Sequence, residues 1–328
     1  MFLPMASDPF AVLLLALAID LAFGDMAVVF RYLPHPVTMA RQAIGFFDRR
    51  LNREGRSDAA RQFRGAITVA VLVGAAAALG WGIGGYLRVV RYAWLAEALL
   101  VAMLLTQRSL FEHVAAVGTA LQREGLQSGR AAVAKLAGRD PESLDEHGVA
   151  RAAIEALFET FSAGVIAPGF WYLLFGLPGL FAYKTAATLA SVIGHRTPRY
   201  LHFGWAATRL ADALDWIPAR LAALLIWLGA LVLPGARFAA SIRATLADAG
   251  KHRSPNSGWP EAAAAGALGL ALGGPRRHLG TVINEPWLGE GRARATILDI
   301  GAALKLYLAA AACFAVLLLI ALAARYFL

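Results

Sequence analysis

Four stretches of the chain run for close to the thickness of a bilayer without a charged side chain: Gly65–Leu87, Ala163–Tyr183, Leu221–Ala236 and Leu306–Ala324. A helix needs about 20 mainly apolar residues to cross the hydrocarbon core. Each stretch therefore predicts a membrane span. Two weaker runs are Phe10–Phe30, broken by Asp20 and Asp25, and Tyr92–Thr106, which contains Glu97. Together they predict about five or six membrane segments. The fold class is then all-α: a polytopic integral membrane protein with helical cytoplasmic loops, read as one membrane domain over residues 1–328. No tandem repeat is visible.

Composition points the same way. Of the 328 residues, 59% are hydrophobic and 16% charged, and the mean hydropathy is +0.57. Soluble domains carry about 25% charged residues, so a polar surface cannot be built here. The net charge of +9 fits basic cytoplasmic loops better than a nucleic-acid surface, and no nucleic-acid partner is expected. The lone cysteine, Cys313, permits no intrachain disulfide. A signal peptide is not expected, because the start lacks a basic region and Asp20 interrupts the apolar run.

The first thirty residues contain no Lys or Arg, whereas Arg41, Arg49, Arg50, Arg53, Arg56, Arg61 and Arg64 follow. The positive-inside rule then puts the N-terminus outside and this loop in the cytoplasm. Gln107–Ser162 is mixed in charge and helical by pattern, with Asp140-Pro141-Glu142 as a helix start. Arg237–Lys305 is a second basic segment. Pro168, Gly176, Pro178 and Gly179 make Ala163–Tyr183 either one span or a re-entrant pair of half-helices.

Candidate chemistry lies where polar residues cost most. Asp20 and Asp25 sit in or beside an apolar helix, where a carboxylate must be paired or hydrated. His35 stands between two prolines. Lys251-His252-Arg253-Ser254-Pro255-Asn256 leads into a helix start at Pro260-Glu261, with Gly273-Gly274-Pro275 as its stop. A basic cluster at a helix N-terminus suits phosphate; a basic loop before an interfacial helix is the plainer reading. Lys184, His195 and Arg199 form a third cluster, suited to phosphate or carboxylate or to snorkelling at a helix end. Glu155 and Glu159 lie one helical turn apart and share a face, either holding a divalent metal with phosphate substrates or simply solvated. P-loop, HExxH, GxSxG and zinc-type Cys/His patterns are missing.

Several of these blocks, in order, resemble the CobD/CbiB family, the membrane-bound adenosylcobinamide-phosphate synthases of cobalamin biosynthesis. The resemblance spans nearly the whole chain. It begins with Asp20 to Asp25, His35-Pro36-Val37, Arg108-Ser109-Leu110 and Gly138-Arg139-Asp140, then Leu144 and Glu155. It continues through Ala167-Pro168, Tyr183-Lys184, Gly194-His195-Arg196, Arg199-Tyr200 and Phe203-Gly204-Trp205. It ends with Ile217-Pro218-Ala219-Arg220, Ser254-Pro255-Asn256, Gly258-Trp259-Pro260-Glu261 and Leu272-Gly273-Gly274-Pro275.

The resemblance implies amide formation between a propionate carboxylate of adenosylcobyric acid and the amine of aminopropanol or its phosphate. ATP and Mg²⁺ are the implied cofactors. The implied partners are the corrinoid, the phosphorylated amino alcohol, membrane lipid and other cobalamin-biosynthesis proteins. The implied place is the bacterial inner membrane, with the site facing the cytoplasm. In this reading His35 accepts a proton, with Asp20 or Asp25 orienting it or binding metal. Lys184, His195, Arg199, Lys251, Ser254 and Asn256 bind substrate, and Glu155 and Glu159 hold metal.

The chain also departs from the family pattern. Thr160, Ala163, Ala187, Ala190 and Ala211 stand where the family usually has Asn or Asp, and Met26 where it usually has Pro. Losing five amide or carboxylate groups removes oxygen ligands suited to Mg²⁺. One rival is therefore a catalytically inactive paralogue that binds a corrinoid or assists a biosynthetic complex. A membrane transporter, suited by Asp20 and the Pro/Gly-broken run, is a second.

Overall fold

A computed structural model describes residues 7–24, 31, 35–53, 55–136, 141–278 and 281–327. The chain is helical nearly throughout. Among the described residues four helical runs are long and apolar enough to cross a membrane: Asp58–Val89, Trp94–Glu124, Glu146–Ile193 and Ile297–Tyr326. A fifth is formed if the adjacent helices Trp205–Leu214 and Trp216–Val232 count as one bent span. Three of the charge-free stretches, Gly65–Leu87, Ala163–Tyr183 and Leu306–Ala324, fall inside these four runs, and most of Leu221–Ala236 lies in Trp216–Val232. The protein is an all-α polytopic membrane protein.

Contacts gather the chain into two compact units, each built from two stretches of sequence. The first comprises Met1–Thr106 and Ala167–Asp215. Its helices are α1 (Pro9–Phe23), α2 (Pro36–Leu51), α3 (Asp58–Val89), α4 (Trp94–Ala102), α8 (Ala167–Ile193) and α9 (Trp205–Leu214). The second comprises Gln107–Ile166 and Trp216–Leu328. It holds α5 (Gln107–Glu124), α6 (Leu126–Val133), α7 (Glu146–Phe161), α10 (Trp216–Val232), α11 (Phe238–Asp248), α12 (Gly258–Leu268) and α13 (Ile297–Phe327). Two short antiparallel ladders, Leu272–Gly273 with Trp287–Leu288 and Arg276–His278 with Thr281–Ile283, lie before α13.

In the first unit α1 covers 15 residues, about 22 Å at 1.5 Å per residue, which is too short to span alone. The expected Phe10–Phe30 run thus yields a shorter helix; Asp25 and Met26 lie outside the described residues. Asp8 caps α1 by accepting from the Phe10 N–H at 2.9 Å, and Pro9 takes the first turn. α3 and α8 are held together by glycine. A Cβ at Gly80 would lie 2.7 Å from the backbone of Leu177 and Pro178. That contact falls where α8 is kinked at Gly176 (φ 63°, ψ −149°), a backbone conformation natural only to glycine. The Pro/Gly-broken run is therefore two helical pieces joined at a kink. Around Ile44, Val69, Leu189, Ile193, Phe203 and Ala207 a buried apolar cluster joins α2, α3, α8 and α9. The outward side of α3 exposes Ile67, Val71, Leu79, Trp81 and Tyr86, the large contiguous apolar face that lipid covers.

In the second unit α10 and α13 pack at Gly229, where a Cβ would come 2.9 Å from the Ala310 nitrogen. α11 and α12 approach even more closely at Gly266, where a Cβ would sit 2.3 Å from the Ala240 carbonyl oxygen. α12 is almost entirely small residues, Gly258-Trp259-Pro260-Glu261 and then Ala and Gly to Leu268. It is buried on nearly every side, as expected of a helix with no polar face. The Tyr307 hydroxyl on α13 donates to the Gln107 carbonyl at 2.8 Å.

Three expected boundaries move. Pro141–Ser143 forms only a 3₁₀ turn, and Asp140 lies outside the described residues. The helix begins instead at Glu146, capped by Asp145, which accepts from the Gly148 N–H at 2.7 Å. α12 starts at Gly258, two residues before Pro260, which still lies in the first turn where no N–H is missed. Its stop is Gly269 (φ 65°, ψ 38°), a left-handed cap, rather than Gly273-Gly274-Pro275. Replacing Asp145 with alanine should cost about 1 kcal/mol, read as a lower thermal midpoint in detergent with spans intact.

Candidate functional site

The expected site residues fall in both units, and each group is built locally. In the first unit His35 caps α2: its Nδ1 accepts from the Val37 N–H at 3.1 Å. A neutral ring with Nδ1 so engaged carries its proton on Nε2. His35 and Lys184 line a cavity of about 60 Å³ with Gly24, Ala102, Met103 and Thr106. That is room for about two water molecules. Asp20, 1% exposed, interacts electrostatically with Lys184. Glu97 accepts from the Tyr172 hydroxyl at 2.9 Å.

Arg199 belongs to a different cluster of the same unit. Its Nη2 donates to Asp48 at 2.8 Å, and this bond raises the guanidinium's affinity for its proton above the ordinary value. Asn52 donates to Asp48 Oδ1 at 2.9 Å and to the Arg199 carbonyl at 3.1 Å. Arg61 donates to the Asn52 side chain at 3.1 Å and to the Arg199 carbonyl. The network ties α2 and α3 to the turn before α9. His195 is exposed, with no hydrogen-bond partner among the described residues.

The second unit gathers the residues around the loop before α12. The Ser254 hydroxyl accepts from the Asn256 and Ser257 N–H groups at 3.3 and 3.2 Å. It thereby occupies the two backbone donors just before the helix, which begins at Gly258. The Ser257 hydroxyl donates to Glu159 Oε1 at 3.0 Å. Asn256, 6% exposed, accepts at Oδ1 from Arg220 Nη1 at 3.4 Å. Arg220 itself lies between two indoles, its guanidinium carbon 4.0 Å from the Trp216 ring centre and 4.4 Å from that of Trp259. Arginine's planar cation suits such double stacking. Lys251 is paired with Asp248 at 2.6 Å, and the other Asp248 oxygen accepts from the Gly289 N–H at 2.7 Å. His252 Nδ1 accepts from the Ser254 N–H at 3.0 Å, and its Nε2 lies 3.9 Å from Glu261. The tight turn is thus built from side chains that fix its backbone.

The two metal candidates on α7 do different things. Glu155 is buried, and its Oε1 accepts from the Gly273 N–H at 2.7 Å. It pins the strand that follows α12. Glu159, one turn on, is exposed beside Ser257. Among the described residues no group of three or more His, Cys, Asp or Glu side chains is placed to hold a metal ion. Mg²⁺ bound with nucleotide or phosphate needs only one or two protein carboxylates, the phosphates and water completing its shell. Glu159, with the Ser257 hydroxyl beside it, fits that smaller role.

Arg220, Ser257 and Trp259 are the site residues that sequence reasoning did not assign. Arg220 and Trp259 lay within conspicuous blocks, Ile217-Pro218-Ala219-Arg220 and Gly258-Trp259-Pro260. Only the fold shows that one cation stacks on both Trp216 and Trp259 and reaches Asn256.

The pattern of the CobD/CbiB protein family matches residues 13–307 of the chain, from α1 into α13. The chain belongs to the CobD/CbiB family. Relatives named cobalamin biosynthesis protein CobD cover nearly all of it. One from a Sinorhizobium species is 50% identical over 306 residues, 92% of this chain and 95% of its own length. That of Rhizobium meliloti (strain 1021) is 46% identical over 309 residues, covering 93% and 94%. That of Rhodobacter capsulatus is 40% identical over 297 residues, covering 90% and 92%. No solved structure matches. All the described site residues from Asp20 to Asn256 lie inside the family match.

Proposed function

We propose that the protein acts in cobalamin biosynthesis as the amide-forming enzyme that attaches aminopropanol, or its phosphate, to a propionate carboxylate of adenosylcobyric acid. The observation that carries this reading is the family match over residues 13–307, with relatives at 40–50% identity along nearly the whole chain. Membership at that level favours a biosynthetic role over a transporter. The proposed location is the bacterial inner membrane, with the site open to the cytoplasm.

The residues divide the work by chemistry. Asn256 is held by Arg220 at its carbonyl, so it meets a substrate oxygen through its amide donors. Glu159 and Ser257 would hold Mg²⁺ with the phosphates of ATP, which supply the free energy for joining a carboxylate to an amine. Lys184, with Asp20 near it, offers a positive charge to a carboxylate or phosphate. Arg199 and Lys251 share their charges with Asp48 and Asp248, and so also hold the backbone beside the loops they serve.

His35 is the proposed proton acceptor for the amine, which must lose a proton to attack. Proton uptake at Nδ1 would break the Val37 cap. Replacement with asparagine separates the two roles, because Asn is among the best caps. His35→Asn should keep the thermal midpoint of the wild type and lose at least 10²-fold in rate, about what general base catalysis contributes. Full activity in that variant would reduce His35 to a cap.

Glu159→Gln should raise the Mg²⁺ concentration needed for half-maximal rate at least tenfold without changing the thermal midpoint. An unchanged Mg²⁺ profile would remove Glu159 from the metal site. The function itself is tested by expressing the chain in a bacterium whose own family member is deleted, supplied with cobyric acid. Restored cobalamin synthesis is expected. Failure of stably inserted protein to restore it would favour the non-catalytic paralogue suggested by Thr160, Ala163, Ala187, Ala190 and Ala211.

A further inference from the structure

In the first unit α2 carries a surface that no role above uses. Its inner side packs into the apolar cluster through Ile44, with Leu51 against it. Its one acidic side chain, Asp48, is buried and engaged with Arg199 and Asn52. The outer side leaves Met39, Phe46, Arg49 and Arg50 exposed, and Arg53 and Arg56 in the loop to α3 are exposed as well. Met39 and Phe46 are seven residues apart, which is two turns, so they form one stripe. Arg50 lies one turn beyond Phe46 and folds back over it, its guanidinium carbon 5.3 Å from the ring centre. Arg49 folds back in the same direction: a Cβ at Gly45 would meet its Nη1 at 3.4 Å.

Exposed arginines are common and by themselves specify no partner. The position of these does. Arg61, in the first turn of α3, donates to the Asn52 side chain at 3.1 Å and so ties the end of α2 to the start of a helix long and apolar enough to span. The lipid-facing side of α3 opens with Phe63, followed by Ile67 and Val71, all exposed. Asp58 and Phe63 are five residues apart, about 8 Å at 1.5 Å per residue. The head-group layer on one side of a bilayer is about 5–8 Å thick. Arg53 and Arg56, just before α3, thus fall at head-group depth. An apolar stripe with guanidiniums folded along it is the pattern of a helix that lies against a bilayer, its arginines reaching toward the phosphates.

We infer that the outer side of α2 and its loop to α3 bind the head groups of anionic phospholipids. Met39 and Phe46 sink into the acyl boundary, and Arg49, Arg50, Arg53 and Arg56 meet the lipid phosphates. Four basic residues beside a span are enough for recognition by charge. A phosphatidylglycerol head group keeps the net negative charge of its phosphodiester, whereas the ammonium of phosphatidylcholine cancels it. The apolar stripe and the adjoining span favour a lipid surface over an acidic soluble protein, which would leave Met39 and Phe46 without a role. The inference is independent of the proposed reaction.

The test uses the full chain, stripped of lipid in detergent. It is titrated with phosphatidylglycerol and, separately, with phosphatidylcholine of the same acyl chains, and bound lipid is counted by native mass spectrometry. Phosphatidylglycerol should bind at least about tenfold more tightly. One arginine near an anionic surface strengthens binding about fivefold. The double substitution Arg49→Gln with Arg50→Gln should therefore weaken phosphatidylglycerol roughly 25-fold and leave phosphatidylcholine unchanged. Depth is a second readout. In a Cys313→Ser background, spin labels on Phe46→Cys and on Gly55→Cys are compared in vesicles containing phosphatidylglycerol. The label at position 46 should collide mainly with dissolved oxygen, and the label at position 55 with a water-soluble nickel chelate. Circular dichroism verifies the fold of each variant. Equal binding of the two lipids by folded wild type would overturn the inference and leave the patch to an acidic protein. A preference that survives the double substitution would overturn it as well, as would a label at position 46 as open to nickel as the one at position 55.

Discussion

Asn256→Ala should lower the rate of amide formation by on the order of 10²-fold or more while the protein remains folded. A reactant displaced by about 1 Å can cost that much. Asn256 is held at Oδ1 by Arg220, which is itself stacked between Trp216 and Trp259. The side chain is thus held at its carbonyl oxygen before substrate arrives. Ser254 and His252 also supply side-chain bonds to the turn's backbone. Rate and stability should therefore separate in this variant. Arg220→Lys offers a graded comparison: lysine keeps the charge but loses the planar stack, so an intermediate loss of rate is expected. Equal rates for wild type and Asn256→Ala, measured at saturating substrate, would remove Asn256 from the site.

Gly204→Ala should be the most damaging small substitution in the first unit. A Cβ there would lie 1.7 Å from the Ile193 carbonyl oxygen and 3.0 Å from that of Tyr200. Both obstacles are backbone, so no side chain can rotate away. Overpacking commonly costs about 1–3 kcal/mol, sometimes more, and this case should reach or exceed the upper end. The α8–α9 junction would be forced apart, carrying Arg199 and its link to Asp48 with it. Gly74→Ala is the matching control. Gly74 also lies on a helix, α3, but nothing is within 4 Å of its would-be Cβ. Folded yield and thermal midpoint in detergent should collapse for Gly204→Ala and stay near wild type for Gly74→Ala. Similar behaviour of the two would contradict the close approach.

The spans were legible in the sequence because a bilayer imposes length and composition on each segment alone. Leu306–Ala324 needed no partner to be read as a span. Gly65–Leu87 was legible as a span, but its contact at Gly80 with the Gly176 kink was not. That contact joins segments far apart in the chain, and single-sequence reasoning sees only neighbours. Boundaries moved for a local reason: Asp145 and Asp140 both look like caps, and only the fold shows Asp145 bonding Gly148.

The candidate site shows the same division. The residue types before α12 pointed to its loop, and Ser254 and Asn256 do sit in one tight turn. Arg199 and Lys251 were read as cations for substrate. Their partners are Asp48, 151 residues away, and Asp248, three residues away. The second was visible as i to i+3 spacing on a helical segment; the first was not visible at all. Glu155 and Glu159 share a helix face, as their spacing requires, yet a backbone N–H far along the chain takes one of them.

The central claim, amide formation on a corrinoid, is tested most directly with purified protein in detergent or lipid. Adenosylcobyric acid, aminopropanol phosphate, ATP and Mg²⁺ are supplied, and adenosylcobinamide phosphate is sought by mass spectrometry. The expected result is product that depends on ATP and Mg²⁺ and is lost in Asn256→Ala. Folded protein that yields none, beside a CobD relative that does under the same conditions, would contradict the claim.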